Sequence, residues 1–185
     1  NIFFINGILK KPVYLNMNKY LNDQKLVKSN IFAKIILKGK GKIPTRFKFG
    51  LNIGNKNEYN LSSNVCFSAA ESNEKTLKKP STFRWCPILN QKNSFFALSN
   101  ISYKKDRFRE ANVVINFWRE IDDKTITKKI KINDDGNYFF HLNQNKKIKK
   151  FLHKGTGWAT FRSDSPFLWG WYFEDLKHGV IGADH

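Results

Sequence analysis

The sequence predicts an all-β chain: an antiparallel β-sandwich, immunoglobulin/fibronectin-like or jelly-roll-like, with at most one short helical connector. Three observations carry the prediction. Apolar and polar residues alternate with period two from the middle of the chain onward, the mark of half-buried strands, while helical periodicity is scarce. Asp135-Gly136, inside "NDDGN", is the strongest short hairpin signal in the chain. Seven probable strands fall within residues 81–185, the count and size of a single sandwich.

From the N-terminal side, Ile31–Lys38, Thr45–Ile53 and Leu61–Ala69 read as strands separated by "GKGK" and "GNKNEYN" turns. They place a smaller β unit in residues 1–75, incomplete or packed on the next unit. The polar, proline-closed "AESNEKTLKKP", Ala70–Pro80, links it to the sandwich of residues 81–185. There the strands are Thr82–Pro87, Ser94–Ile101, Ala111–Arg119, Lys124–Ile132, Tyr138–Leu142, Thr156–Ser163 and Phe167–Glu174. Alternation sends Val113, Ile115 and Phe117 to one face of their strand. It sends Ile126, Ile130 and Ile132 inward and Thr125, Thr127, Lys129 and Lys131 to a wet, basic face. The turn at Asp135-Gly136 makes these strands and the next a hairpin-connected meander, with glycine supplying the positive φ. Asn143–Lys154, "NQNKKIKKFLHK", breaks the pattern: Ile148, Phe151 and Leu152 lie at helical spacing, giving one or two turns with Asn143 or Asn145 as N-cap. A loose echo between Phe49–Ser68 and Phe96–Trp118 raises the question of two related β units.

The 185 residues carry a formal net charge of +18. Lysine, asparagine, isoleucine and phenylalanine are what AT-rich codons encode, so drift accounts for much of it; the functional reading is a field that gathers nucleic acid, acidic glycans or anionic lipid. Arginine, suited to bidentate phosphate and guanine contacts, is scarce at 6 residues. No apolar run approaches the roughly 18 residues that span a membrane. In "NIFFINGILKK" the basic residues come after the apolar run, opposite to a secretory signal. The absence of an initial methionine suggests a piece of something longer. Cys66 and Cys86 are compatible with one strand-joining disulfide or with two buried thiols.

Catalytic signatures are missing: no Gly-x-Ser-x-Gly, no phosphate-cradling glycine loop, no His-Glu-x-x-His. Asp122-Asp123 and Asp134-Asp135 sit in turns, where aspartate hydrogen-bonds its own backbone. His178, Asp184 and His185 do not make a convincing metal set, and neither metal nor cofactor is expected. What remains is aromatic. In "PFLWGWYFED" strand alternation puts Phe167, Trp169, Trp171 and Phe173 on one face and Leu168, Gly170 and Tyr172 on the other. Rings at about 6.6 Å intervals suit stacking on sugars or unpaired bases, and equally suit a core. Apolarity on both faces favours core for the row, and Trp85 and Trp158 obey the same logic. Arg162 and Asp164 lie beside this strand, able to orient a polar ligand.

The reading is a non-enzymatic accessory or surface module of a longer protein; the sequence leaves its location open, with the cell surface or another place outside the cytoplasm favoured over the interior. The sharper expectation is binding of glycan or another polymer through Trp169, Trp171, Arg162, Asp164 and Trp158. The rivals are nucleic-acid binding through the basic first part and a purely structural domain-packing role.

Overall fold

The computed structural model describes residues 48–53, 63–68, 82–90, 93–101, 109–153, 155–176 and 180–184. All of them belong to the compact unit Leu37–His185. The expected strand Ile31–Lys38, the link Ala70–Pro80 and most of the smaller unit lie outside the described residues. Of that smaller unit, β1 (Lys48–Ile53) and β2 (Ser63–Ser68) form an antiparallel hairpin of their own.

The rest is a sandwich of two antiparallel sheets. One holds β3 (Thr82–Leu89), β8 (Thr156–Ser163), β5 (Ala111–Arg119) and β6 (Thr125–Ile132), in that order. The other holds β10 (Val180–Asp184), β9 (Leu168–Leu176), β4 (Asn93–Asn100) and β7 (Gly136–His141). The pairings are nested. β5–β6 closes around the Glu120–Lys124 turn, β4–β7 lies outside it, and β3–β8 outside both. A long two-stranded ribbon rolled so that successive pairs fall in alternate sheets gives this order, which is the jelly-roll arrangement. In an immunoglobulin-type sandwich the last two strands of the seven would pair; here β8 and β9 sit in different sheets.

The alternation read from the sequence decides which residues are inside. Ala111, Val113, Ile115 and Phe117 of β5 are fully buried, and Ile132 of β6 joins them. Four phenylalanines, two from each sheet, meet at the centre. Phe96 stacks on Phe140 at 4.7 Å and takes Phe161 edge-on at 4.8 Å, while Phe117 lies 5.0 Å from Phe140. Such offset and edge contacts match the ring quadrupoles, and truncating any one of these rings costs about 3–5 kcal/mol. The thiol of Cys86 is free and buried in this interior, so the strand-joining disulfide does not form.

Two expectations are corrected at the turns. The "NDDGN" turn exists, with Gly136 N donating to Asn133 O at 3.0 Å. It is nevertheless a corner, because β6 and β7 belong to different sheets. The positive φ falls on Asp135, at 55°, which aspartate tolerates. Gly136 is required for another reason: a Cβ there would stand 2.8 Å from Asn133 O. The helical connector resolves into a 3-10 turn, Leu142–Gln144, and α1 (Lys146–Leu152), whose Ile148 and Leu152 are buried one turn apart. Asn145 occupies the N-cap position without capping through its side chain; its Nδ2 donates backwards to His141 O at 2.7 Å. The echo between Phe49–Ser68 and Phe96–Trp118 is not structural: β1 and β2 pair with each other, whereas β4 and β5 lie in different sheets. The strand β10 has no counterpart among the expected elements.

Candidate ligand-binding surface

Antiparallel partners share a face, so the registers fix where each aromatic points. In β9, Trp169 pairs with Ser99, Trp171 with Ala97 and Phe173 with Phe95. Their neighbours Phe96 and Leu98 point into the core. Trp169, Trp171 and Phe173 therefore face away from the interior and are half-buried, which corrects the expectation that this row is core. The interior side of β9 is Leu168, Gly170 and Tyr172. Phe167 precedes the strand and is buried. On the outer face Phe95 is held between His141 at 5.1 Å and Phe173 at 4.7 Å, all three rings nearly parallel. Burial against Phe95 lowers the His141 pKa below its ordinary value.

The outer face of the other sheet carries the more open aromatic group. Trp158 pairs with Pro87 on one side and Trp118 on the other, and Trp85 lies one row away, opposite Thr160. Ala159 and Phe161 of the same strand are buried, so Trp158 points outward, and its expected place in the core is likewise corrected. The indoles of Trp118 and Trp158 stack 6.1 Å apart, 9° from parallel. Trp118 Nε1 donates to Thr160 Oγ1 at 3.2 Å, and Thr127 Oγ1 to Asn116 Oδ1 at 2.8 Å. Trp85 is 66% exposed, against an expectation of core. Its orientation was legible: with Cys86 and Ile88 inward, alternation sends Trp85 out.

Arg162 is exposed on this same face, in a row with Val114 and Lys129. Lys131, next on β6, is tied to Glu110 at 2.9 Å, which raises its pKa above the usual lysine value. Asp164 is committed elsewhere. Its carboxylate accepts from Asn112 N at 2.8 Å and from Asn112 Nδ2 at 2.7 Å, while Arg109 donates to its backbone oxygen. Partial burial pulls the Asp164 carboxyl upward, but those hydrogen bonds and the Arg109 charge together leave it below its ordinary value. The five expected contact residues are thus dispersed: Trp158 and Arg162 on one outer face, Asp164 locking the end of β8 to β5, Trp169 and Trp171 on the opposite sheet.

Among the described residues no group of histidine, cysteine, aspartate and glutamate is placed to hold a metal ion, and no helix is long and apolar enough to cross a membrane. His178 and His185 lie outside the described residues. No protein-family model, curated protein or solved structure matches the chain. Fold and surface together define a class: an antiparallel β-sandwich with an aromatic, partly open outer face.

Proposed function

We propose that the protein is a non-catalytic binding module that holds a glycan on the outer face of the β3–β8–β5–β6 sheet. One observation carries the reading: an exposed Trp85 stands in the row beside a stacked Trp158–Trp118 pair on a single sheet face. Indole rings receive the apolar faces of sugar rings, and the contribution per ring is about 1–3 kcal/mol if sugar stacking resembles base stacking. Thr160, Asn116 and Thr127, in the row with Trp85, supply hydroxyl and amide groups for sugar hydroxyls. Arg162 and Lys129 one row further suit an acidic sugar. Against nucleic acid stands the scarcity of arginine, with 6 in the chain.

The test is retention on insoluble cellulose, chitin and xylan and on immobilised polygalacturonate, for the parent, Trp85→Ala and Trp158→Ala. Retention of the parent on at least one polysaccharide, with about tenfold weaker binding in both variants, is the expected result. A parent retained on none, or variants retained equally, ends the proposal. Tight binding to single-stranded DNA that falls steeply with salt would put nucleic acid in its place.

A further inference from the structure

The sandwich opens at one edge, where the edge strand β3 passes over β9. A cleft of roughly 270 Å³ lies there, its lining including Arg84, Cys86, Leu98, Gly170 and Tyr172. It owes its depth to a missing side chain. Gly170 points inward between Leu168 and Tyr172, and a Cβ on it would stand 3.1 Å from Leu98 Cδ2; any larger residue would fill the space. The walls are apolar or neutral: burial pushes the Cys86 thiol far above its ordinary pKa, so it carries no charge.

The mouth is different. Arg84 is exposed, its guanidinium 5.5 Å from the centre of the Trp169 ring, and among the described residues no carboxylate pairs with it. Glu174 shares the inward face of β9, five residues beyond Trp169 and about 16 Å along the strand; its charge adds to the rise of the Cys86 pKa, but it makes no ion pair with Arg84. Among the described residues, a planar cation without a carboxylate partner therefore stands at one end of a small apolar slot. Guanidinium matches a carboxylate through two parallel hydrogen bonds, and the Trp169 ring beneath it favours the cation at this place.

We propose that this cleft binds a small amphipathic carboxylate, its apolar body over Gly170 against Leu98 and Tyr172 and its carboxylate at Arg84. The cleft shares Trp85 of its lining with the glycan face, but the contacts proposed here use neither Trp85 nor Trp158, so the site stands or falls without the glycan reading.

The experiment titrates the full chain with octanoate and, separately, 1-octanol, read by tryptophan fluorescence and by calorimetry. Saturable octanoate binding is expected, about tenfold or more tighter than octanol, as befits a charge-assisted contact. Arg84→Met, which keeps an apolar stem on Trp169, should weaken octanoate about tenfold and leave octanol unchanged. Gly170→Val should remove both. Trp158→Ala should leave octanoate binding intact, which separates this site from the glycan surface. The proposal is overturned if octanoate gives no saturable signal, if octanol binds as tightly, or if Arg84→Met binds octanoate as the parent does. Should Gly170→Val fail to fold by circular dichroism, the Arg84→Met comparison decides alone.

Discussion

Ser165 Oγ donates to Asn100 Oδ1 at 2.9 Å inside the molecule, and the same asparagine's Nδ2 donates to Arg109 O at 2.7 Å and Asn133 O at 3.2 Å. One buried amide thus ties the end of β4 to the start of β5, the β6–β7 corner and the β8–β9 turn. Asn100→Ala removes the acceptor of the Ser165 hydroxyl and the donor to the Arg109 and Asn133 carbonyls, each loss worth about 1–3 kcal/mol where it is not made good by relaxation. A loss of about 3 kcal/mol in urea unfolding is expected; a loss under about 1 kcal/mol would show that water replaces the amide freely.

Gly157 has the tightest constraint among the described glycines. A Cβ on it would lie 2.1 Å from Trp118 O and 2.7 Å from Leu152 Cδ2. Leu152 is fully buried in the core, and the backbone carbonyl cannot swing aside without moving β5. Gly157→Ala should therefore cost about 2–3 kcal/mol, near the upper end of overpacking penalties. A thermal midpoint equal to the parent's would mean that β5 and β8 shift apart without strain.

Asp122 accepts from Arg119 Nε at 2.7 Å, and Arg119 Nη1 donates to Phe151 O at 3.1 Å, with its guanidinium over the Phe151 ring. The Arg119 hydrogen bonds hold the Asp122 carboxyl well below the usual carboxylate range. A carboxyl with a depressed folded pKa adds stability that is complete above its unfolded value, about 3.9, and is lost as the pH falls below it. Asp122→Asn should melt lower than the parent at pH 6, and the gap should begin to narrow near pH 4 and shrink steadily as the pH falls further. A gap that persists unchanged at pH 2.5 would assign the difference to something other than charge.

His141 works in the opposite sense. Burial favours its neutral form in the fold, so the unfolded chain binds the proton more readily. Stability then falls as the pH drops through the unfolded histidine value, about 6.5. Replacing it by phenylalanine should keep the stack with Phe95 and flatten the dependence of the thermal midpoint between pH 7 and 5. An unchanged slope in His141→Phe would place the titration on another group.

Strand alternation made most of the sandwich legible. Ala111–Arg119 and Thr156–Ser163 stand where their patterns put them, because in both a strictly alternating inner row is fully buried. Alternation is silent on what a strand pairs with. It showed a turn at Asp135-Gly136 but not that β7 leaves for the second sheet, since a corner and a hairpin use the same turn residues. It was also ambiguous in β9, whose two faces are both apolar. There the register with Ala97 and Ser99, set by strands far away in sequence, decides that Trp169 and Trp171 point out. The same limit explains Asp164: only pairing shows Asn112 beside it.

The nested pairing of β5–β6, β4–β7 and β3–β8 also dictates an order of assembly. Closing the Glu120–Lys124 loop brings two strands together at a small entropic cost, on the microsecond scale of hairpins. Each pair, once formed, shortens the effective loop that the next must close, so the ribbon lengthens outward from one nucleus as a zipper does. The contacts that roll it into two sheets, β5 against β8 and β4 against β9, join strands from different pairs of the ribbon and come after those pairs have formed. Refolding in stopped-flow mixing is therefore expected to be slow for the chain's size. Substitutions near the Glu120–Lys124 turn should slow refolding, whereas those in β9 should chiefly speed unfolding.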